Sequence, residues 1–510
     1  MLHRHGSIRC FSCGQGVGLM VRLNDVSFSY DGQEENGLHH VSVEIPDGQC
    51  VLLCGESGCG KTTVTRLING LIPHFFSGEL TGRISVCGLE VPNSEIAELS
   101  DHVGSVFQNP RTQFFNTDTD SEIVFGLENR ALPQEQLKKR LEETCSELHL
   151  SSLRSRNIFE LSGGEKQKIA FASVYATQPE IFVLDEPSSN LDLKGILELK
   201  RLLQMVKSQG KTVIVAEHRL WYLMEVADRV LYMRKGRIVR DMSASEFQTL
   251  TEQEVSSMGL RNCALPQIMQ IGTGMKPGGN TLAVKGLRVQ LGSGEILKEV
   301  NFTAHGGEVI AVTGQNGVGK TTLARTLCGL QKCGAGTISL NGRPLSEKQR
   351  KERSYMVMQD VGHQLFTDSV EAECRLGMKT ADNNAVNQAL EWLDLTPYKD
   401  RHPLSLSGGQ KQRLTVAVSL VCEKNLLIFD EPTSGLDLKS MLEVGRLARE
   451  LSARGKILLI ITHDYEFIQT VCSRVLVLRD GEITETKPGA SQLCRLEEMM
   501  GVDYGTKEEK

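Results

Sequence analysis

The sequence predicts an α/β fold in two tandem copies, because its chemical motifs occur twice in the same order. A glycine-rich loop at Gly55–Thr63 recurs at Gly314–Thr322, and the segment Leu161–Gln167 recurs at Leu406–Gln412. An acidic pair and a later histidine follow each of the latter segments at the same spacing. Four repeated motifs imply two homologous halves within the 510 residues.

Each half alternates short aliphatic runs with amphipathic stretches, a pattern typical of parallel strands linked by helices. The predicted buried strands are Gln49–Cys54, Ile181–Leu184, Glu308–Thr313 and Leu426–Phe429. The glycine-rich loop follows the first of these strands in each half, which predicts a P-loop α/β core. An additional helical segment is predicted to carry the LSGG motif of each half.

The chain divides into two domains with three flanking segments. These are predicted as a disordered leader at 1–20, domain one at 21–250, a linker at 251–280, domain two at 281–501 and a tail at 502–510. The linker is predicted from the glycine-rich, proline-containing stretch between Met269 and Asn280. Translation from Met20 is an alternative to the leader. Cys10 and Cys13 supply only half of the ligands of a zinc site, so a metal is not expected there.

The composition is that of a globular protein, with 40% hydrophobic and 24% charged residues. A net charge of −6 without a long basic run argues against nucleic acid as the ligand. The 14 cysteines follow no repeating spacing, which favours reduced thiols in a cytosolic protein. The longest purely aliphatic stretch, Ile457–Ile461, is far shorter than the roughly 20 apolar residues of a membrane helix.

The GxxxxGK[ST] loops predict two phosphate cradles. Their glycines allow backbone N–H groups to approach phosphate oxygens, and the helix that follows adds the positive end of its dipole. Lys61 and Lys320 are predicted to contact the β- and γ-phosphates. Thr62 and Thr321 are predicted to place a hydroxyl on Mg²⁺.

Acidic pairs at the ends of later strands predict hydrolysis. Asp185 and Asp430 can orient Mg²⁺ through its hydration shell. The next residues, Glu186 and Glu431, can accept a hydrogen bond from an attacking water.

Two further pairs of polar residues follow apolar runs. His218 and His463 lie where a γ-phosphate sensor would be expected. Gln108 and Gln359 are each followed five residues later by a second glutamine and then an apolar pair. Such a loop is predicted to contact both Mg²⁺ and a partner protein.

Together, these motifs resemble the ABC ATPase family from Val21 onward. GESGCGKT and GQNGVGKT match its Walker A motif, and LSGGE and LSGGQ match its signature. The acidic pairs match its Walker B aspartate and catalytic glutamate, and Ser189–Asp192 and Ser434–Asp437 match its D-loops. Gln108 and Gln359 match the Q-loop, and the two histidines match the switch histidine. The resemblance implies that the chain binds ATP and Mg²⁺ and hydrolyses ATP.

The site residues implied by this resemblance fall into three groups. The catalytic residues are Glu186, Glu431, His218 and His463. The nucleotide-binding residues are Tyr30, Gly55, Glu56, Ser57, Gly58, Cys59, Gly60, Lys61, Thr62, Thr63, Gln108, Ser162, Gly163, Gly164, Asp185, Gly314, Gln315, Asn316, Gly317, Val318, Gly319, Lys320, Thr321, Thr322, Gln359, Ser407, Gly408, Gly409, Gln410 and Asp430. The Mg²⁺ residues are Thr62, Gln108, Asp185, Thr321, Gln359 and Asp430.

The family also implies a head-to-tail pseudo-dimer within one chain. The loop Gly55–Thr62 would face Ser407–Gln410, and the loop Gly314–Thr321 would face Ser162–Glu165. Each ATP would then lie between the Walker A loop of one half and the signature of the other. Tethering in one chain favours this closure.

Three positions depart from the family pattern. Leu291 occupies the position that matches Tyr30, where the family stacks an aromatic ring on adenine. Glu165 replaces the usual glutamine, so we expect a carboxylate near the phosphates that slows the site built on Lys320. Cys59 lies inside the first P-loop, where a helix terminus tends to lower a thiol pKa; the alternative is a small residue that merely fits.

Three segments narrow the resemblance to the ATPase subunits of energy-coupling factor (ECF) importers. They are Gly70–Leu80, Asn109–Asn129 and Met358–Glu373. The resemblance implies an integral-membrane scaffold subunit, whose coupling helices lie beside each Q-loop, and a substrate-binding membrane subunit. It places the chain at the cytoplasmic face of the membrane.

Apolar residues beside the Q-loops are candidates for the docking grooves of the scaffold. They are Phe114, Phe115, Leu365 and Phe366, with core packing as the alternative. Glu122 and Glu371 are expected to contribute to the same docking. A vitamin, a vitamin precursor and a metal ion remain open as the cargo.

Other classes fit the sequence less well. A tandem ATPase of a sugar or nucleoside importer usually has degraded motifs in one half, whereas both halves here keep theirs. A ribosome-acting ABC protein would carry a long charged helical arm between its halves. DNA-repair members would need coiled-coil or zinc insertions within each half.

Overall fold

A computed structural model describes residues 19–265, 268–270, 278–292, 294–359, 361–376, 378, 382–422, 424–486 and 493–495. The predicted leader, except for its last two residues, the predicted tail and the pair Cys10 and Cys13 lie outside these residues. All structural statements below concern the described residues.

Half one contains ten strands of the described chain. They are β1 (Leu19–Tyr30), β2 (Gln33–Pro46), β3 (Cys50–Gly55), β4 (Gly78–Val86), β5 (Leu89–Glu90), β6 (Val103–Val106), β7 (Ile181–Asp185), β8 (Thr212–Ala216), β9 (Arg229–Arg234) and β10 (Arg237–Ser243). The helices of this half are α1 (Lys61–Ile68), α2 (Leu71–His74), α3 (Ile96–His102), α4 (Thr119–Asn129), α5 (Gln134–Glu147), α6 (Gly163–Ala176), α7 (Leu193–Ser208), α8 (Ala244–Gln248) and α9 (Glu252–Ser257).

Half two repeats this order after a short strand, β11 (Ile268–Gln270). Its strands are β12 (Thr281–Leu291), β13 (Gly294–His305), β14 (Val309–Thr313), β15 (Ala335–Leu340), β16 (Arg343–Pro344), β17 (Ser354–Val357), β18 (Leu426–Asp430), β19 (Ile457–Ile461), β20 (Arg474–Arg479), β21 (Glu482–Thr486) and β22 (Leu493–Arg495). Its helices are α10 (Lys320–Leu327), α11 (Glu347–Arg353), α12 (Val370–Leu376), α13 (Asn383–Trp392), α14 (Gly408–Val421), α15 (Leu438–Ala453) and α16 (Tyr465–Val471).

Each half combines a six-stranded sheet with a four-stranded antiparallel sheet. The six-stranded sheets have the orders β10-β9-β3-β8-β7-β6 and β17-β18-β19-β14-β20-β21. All their strand pairs are parallel except those of the edge strands β10 and β21. The four-stranded sheets have the orders β2-β1-β4-β5 and β13-β12-β15-β16. The α/β fold class is as predicted.

The central parallel strands are buried along their whole length because helices cover both faces of the sheet. Every residue of β3, β8, β14 and β19 is buried. The carboxyl ends of parallel strands meet at one edge of a sheet, where open α/β sheets bind their ligands. The P-loop follows β3, the acidic pair lies at the end of β7, and His218 follows β8. The four predicted strands are all present, with ends shifted by one residue.

The predicted helical segments pack beside these sheets. Helices α4, α5 and α6 pack together in half one, and α12, α13 and α14 do so in half two. Ser162 caps α6 by accepting the Glu165 backbone N–H, and Ser407 caps α14 in the same way. Each signature motif therefore begins a helix, and its first-turn backbone donors lie at the surface of the helical layer.

The first part of the predicted linker is structured. Helix α9 lies at its start, and Val255, Met258 and Leu260 are buried within an apolar core that contains residues of both halves. Residues 268–270 pair antiparallel with residues 493–495. Residues 271–277, the middle of the stretch Met269–Asn280 that motivates the linker prediction, lie outside the described residues.

Candidate functional site

The two P-loops have the shape of phosphate cradles. Gly60 and Gly319 begin α1 and α10 with φ values of 107° and 109°, and no described side chain caps either helix. A side chain at Gly58 or Gly317 would meet no atom within 4 Å, so each loop leaves open space above its backbone. These helix starts present free N–H donors and a positive dipole end, which suit a triphosphate.

The P-loop lysines are buried against their own loops. Lys61 Nζ donates to the carbonyl oxygens of Gly55 at 3.0 Å and Glu56 at 3.2 Å. Lys320 Nζ donates to Gly314 at 2.7 Å and Gln315 at 2.9 Å. Backbone carbonyl oxygens thus fix both ammonium groups inside the P-loops, where an anion would be held.

The predicted metal residues meet in pairs at the end of the sheet. Thr62 Oγ1 donates to Asp185 Oδ1 at 3.2 Å, and Thr321 Oγ1 donates to Asp430 Oδ2 at 2.9 Å. Burial and the neighbouring Glu186 raise the pKa of Asp185 to about 6, and burial also raises the pKa of Asp430. A hydroxyl beside a poorly solvated carboxylate offers the hard oxygen ligands that Mg²⁺ prefers, and the cation would stabilise the charged carboxylate.

In half one, Glu186 lies at the centre of a polar cluster. Its Oε2 accepts a hydrogen bond from Gln108 Nε2 at 2.6 Å, and its Oε1 lies 3.4 Å from His218 Nε2. His218 Nε2 also lies 3.3 Å from Lys61 Nζ. Burial alone would raise the pKa of Glu186, but His218 and Lys61 together lower it. Glu186 is therefore ionised, the form in which a carboxylate can accept a proton.

The corresponding cluster of half two differs. His463 Nε2 lies 3.6 Å from Glu431 Oε1 and 3.1 Å from Asn316 Oδ1. Burial raises the pKa of Glu431 to about 7, although Lys320 opposes the shift. Burial, with Lys320 and Arg219, lowers the pKa of His463, so this imidazole is neutral. The two candidate bases thus have different proton affinities despite the same sequence motif.

Both candidate bases have left-handed backbone conformations. Glu186 has φ 45° and Glu431 has φ 51°, values that are uncommon for residues with a side chain. The backbone N–H of Glu186 donates to Ala216 and that of Glu431 to Ile461, each at 2.8 Å. The neighbouring strand thereby fixes the direction of each carboxylate, which fits a preorganised base.

The D-loops join the two halves. Asp437 Oδ2 accepts the backbone N–H of Ser57 at 2.7 Å, and Asp192 Oδ2 accepts that of Asn316 at 2.9 Å. Each aspartate therefore contacts the P-loop of the other half. Ser434 Oγ additionally donates to the carbonyl oxygen of Ser189. The halves face each other head to tail.

A cleft of about 630 Å³ lies between the halves. Ser162 and Gly163 of half one line it together with Lys320 and Thr321 of half two, as the predicted pairing requires. Gln108, Asn316, Gly317, Gly319, Thr322, Gln359, Gly408, Gly409, Asp430 and Glu431 also line it. Because neither half forms it alone, a ligand here would contact both.

Tyr30 lies beside α1, at the edge of the first cradle. Its hydroxyl lies 3.2 Å from Thr63 Oγ1 and accepts a hydrogen bond from Arg66 at 3.0 Å. Its ring meets Phe28 and Phe76 edge-on. Leu291 is exposed. The structure brings Tyr30 close to the P-loop helix, and its stacking on adenine stays a prediction.

Two of the positions that depart from the family pattern have clear surroundings. Cys59 is buried, and burial raises its thiol pKa despite the nearby Lys61, which favours the alternative that it is a small residue that fits the loop. Glu165 is engaged on both oxygens: Oε2 accepts the Ser162 N–H at 2.8 Å, and Oε1 pairs with Arg156 at 2.9 Å. Arg156 compensates the charge that was expected to face the phosphates.

The expected docking role of Glu122 is corrected. Glu122 is buried, and its Oε2 accepts the backbone N–H groups of Phe115 at 3.0 Å and Asn116 at 2.8 Å. Its counterpart in half two is Glu373, which accepts the Phe366 N–H at 3.0 Å. Glu371 instead forms a surface ion pair with Arg375. Glu122 is thus a structural anchor for the Q-loop rather than a contact residue.

Several residues at the interface escaped prediction as site residues. Asp192 and Asp437 belong to the recognised D-loops, and their position after the acidic pair was an available signal. Arg219 is buried, donates to the Ser188 carbonyl oxygen at 3.3 Å and acts electrostatically on Glu431 of half two. No sequence pattern signals Arg219, because its importance arises only when the halves meet.

The fold and the site together define a tandem P-loop ATPase whose two cradles face the opposite half. The sequence model of the family described as ABC transporter matches residues 38–189 and 297–434. The chain therefore belongs to the ABC transporter family, as an ATP-binding and ATP-hydrolysing subunit with two ABC domains. Subunits of this kind work with membrane subunits of the transporter. Among the described residues, no helix is long and apolar enough to cross a membrane.

Known proteins resemble the chain along nearly its whole length. A Treponema denticola protein, named provisionally as an ABC transporter ATP-binding protein, is 60% identical over 472 residues, covering 91% of this chain and 96% of that protein. YkoD of Bacillus subtilis, named provisionally for HMP/thiamine import, is 32% identical over 497 residues, covering 91% of each chain. Archaeal ABCE1, in a model of a ribosome complex with Pelota, has a TM-score of 0.67 at 21% identity, covering 93% of this chain and 79% of that one. The last likeness shows the fold alone.

Proposed function

We propose that the chain is the tandem ATPase of an ECF-type importer for a vitamin, a vitamin precursor or a metal ion. It would bind two ATP molecules with Mg²⁺ between its halves at the cytoplasmic face of the membrane. Its partners would be an integral-membrane scaffold and a substrate-binding membrane subunit. The similarity to YkoD, whose name refers to import of thiamine or HMP, supports this class of cargo.

The observation that carries the proposal is a pair of equivalent apolar patches beside the two Q-loops. Phe115 and Phe366 are each 75% exposed. Phe115 stacks on Phe125 with ring centroids 4.9 Å apart, and exposed Leu376 follows Phe366 in half two at the same spacing as Phe125 follows Phe115. Large exposed aromatic side chains on a well-anchored loop are typical of a docking surface.

In half one, the loop that carries the patch connects to the candidate base. Gln108 begins the first loop and donates to Glu186. In the same loop, Gln113 accepts the Phe107 N–H at 3.3 Å and donates to the Ser105 carbonyl oxygen at 3.2 Å. A partner that displaces Phe115 would therefore act on the base through a short, hydrogen-bonded stretch of chain. By contrast, Phe114 is partly buried and Leu365 is buried in the core.

Within this proposal, the residues of the chain perform separate tasks. Bound ATP and Mg²⁺ would supply the phosphoanhydride bond and the charge that stabilises its cleavage. The P-loop N–H groups and Lys61 or Lys320 would hold the phosphates, and Thr62 with Asp185, or Thr321 with Asp430, would hold the cation. Glu186 and Glu431 would take a proton from water. His218 and His463 would keep these two carboxylates in position.

The test uses the full-length, tagged chain expressed in its own host, followed by detergent extraction of membranes and mass spectrometry of co-purifying proteins. Two integral-membrane proteins are expected with the unaltered chain. The double variant Phe115→Asp and Phe366→Asp should lose both while retaining ATP hydrolysis. Leu330→Asp, which alters an exposed apolar residue elsewhere in half two, should retain them. Recovery of ribosomal proteins instead of membrane proteins would refute the proposal.

A further inference from the structure

Arg261, in the segment that connects the two domains, is buried in half two. It is 2% exposed, and its Nε donates to Glu466 Oε2 at 2.5 Å while Nη2 donates to Asp464 Oδ1. The next residue, Asn262, donates its backbone N–H to Glu466 Oε1 at 2.6 Å. One guanidinium from the connecting segment thus pairs with two buried carboxylates of half two.

This cluster adjoins the predicted switch histidine. Asp464 follows His463 directly and caps α16 by accepting the Phe467 N–H at 3.3 Å. Glu466 lies in the first turn of the same helix. Because Arg261 contacts both carboxylates, it fixes the turn between β19 and α16 that carries His463. The Tyr465 hydroxyl adds a hydrogen bond to the Ala264 carbonyl oxygen at 3.1 Å.

The other end of the segment is attached to half one. Tyr232 on β9 donates its hydroxyl to the Met258 carbonyl oxygen at 2.8 Å. Gly259 lies against the first P-loop, since a Cβ there would be 2.7 Å from Glu56 Oε1. Residues 258–264, which we call the strap, therefore run from the P-loop of half one to the histidine turn of half two.

Among the described residues, this arrangement has no equivalent at His218 of half one. His218 is followed by Arg219, the position that corresponds to Asp464, and Arg219 donates to Ser188 and Leu191 of its own half. A basic residue there cannot accept an arginine from a connecting segment. The strap contacts are thus specific to the site built on Lys320.

We propose that Arg261 is a positioning residue for His463, and that the strap couples the nucleotide site of half two to the first P-loop. The proposal rests on the role proposed above for His463. A shift of about 1 Å in a residue that orients the reacting groups can lower turnover by up to about 100-fold. Loss of the strap contacts should therefore lower turnover at the Lys320 site with little change in ATP binding.

The test variant replaces the whole cluster, because removing Arg261 alone would leave two buried carboxylates without a cation. The triple variant Arg261→Met, Asp464→Asn and Glu466→Gln keeps the shape and the cap of α16 while removing every charge. A matched control neutralises another arginine of half two with two carboxylates: Arg474→Met, Glu308→Gln and Glu485→Gln. In the described part of the chain, Arg474 donates to Glu485, Glu308 and the Thr303 carbonyl oxygen, all away from the histidine turn.

Both triple variants are measured in two full-length backgrounds. With Glu186→Gln, turnover reports the Glu431 site. With Glu431→Gln, turnover reports the Glu186 site. In the first background, the strap variant should lower kcat roughly 10-fold or more with KM for ATP changed less than about 2-fold. In the second background, kcat should change less than about 2-fold. In each background, the control triple variant should have kcat and KM values close to those of the protein that carries only Glu186→Gln or only Glu431→Gln.

Three results separate the alternatives. Equal loss in both backgrounds, or the same loss with the control cluster, would show a general structural role and overturn the proposal. Unchanged kcat for the strap variant, when His463→Ala stops turnover in the Glu186→Gln background, would overturn it as well. Undiminished turnover of His463→Ala would refute the role of that histidine, and with it the basis of the strap proposal.

Discussion

The Asp437 carboxylate accepts hydrogen bonds from both halves of the chain: Oδ1 accepts the Ser440 N–H and thereby caps α15, and Oδ2 accepts the Ser57 N–H at 2.7 Å. Asp192 does the same for α7 and Asn316. Each D-loop aspartate thus anchors a helix in its own half and holds the P-loop of the other half. The interface and the nucleotide site are consequently one structure.

The two candidate bases should each be needed for hydrolysis. Glu186→Gln and Glu431→Gln keep the shape of the side chain but remove its ability to accept a proton. Each is expected to slow steady-state ATP turnover by about 10²–10⁴-fold at its own site, the usual contribution of a general base. The measurement is phosphate release by each single variant and the double variant. Unchanged turnover in one single variant would mark that half as regulatory.

The two sites should differ in their dependence on pH. Burial raises the pKa of Glu431 to about 7. The pKa of Glu186 is lowered, because the effects of His218 and Lys61 outweigh that of burial. A base acts in its ionised form, so turnover by the Glu186→Gln protein should rise as pH increases through about 7. The Glu431→Gln protein should show no such rise between pH 6 and 8. Identical profiles of kcat against pH would contradict this assignment.

Charge reversal should affect the two acidic residues near the docking patches very differently. Glu122→Lys removes a buried acceptor of two backbone N–H groups and buries a cation, which we expect to cost about 3 kcal/mol or more of unfolding free energy. Glu371→Lys changes a surface residue paired with Arg375, so little change is expected. Denaturant unfolding of both variants checks the difference. Equal stability of the two would refute the structural role of Glu122.

The repeat made much of the fold and site predictable. The strands β3, β7, β14 and β18 and the motif residues at their ends follow from short apolar runs next to glycine or acidic residues. These signals are local, since a P-loop needs its strand, glycines and lysine in one stretch of sequence. The surroundings of Glu165 and Cys59 could not be predicted, because the local sequence specifies neither the ion pair of Glu165 with Arg156 nor the burial of Cys59.

The contacts between the two halves could not be predicted from the sequence. Arg261 acquires its carboxylate partners only when the connecting segment packs on half two, and Arg219, whose hydrogen bonds stay within half one, acts on Glu431 only when the halves meet. Neither residue lies in a motif. The pKa values of Glu186 and Glu431 differ for a reason within each half: His218 and Lys61 lower the pKa of Glu186, whereas burial dominates at Glu431. The strap likewise falls in a segment whose composition suggests only a linker.

The most direct test of the account is ATP hydrolysis by the double variant Ser162→Glu and Ser407→Glu, measured together with ATP binding. Each substitution places a bulky anion at the start of a signature helix that should face the phosphates held by the opposite P-loop. We predict that turnover falls at least about 100-fold while each P-loop still binds ATP. Hydrolysis at the full rate would show that each half works alone, and would contradict the shared site.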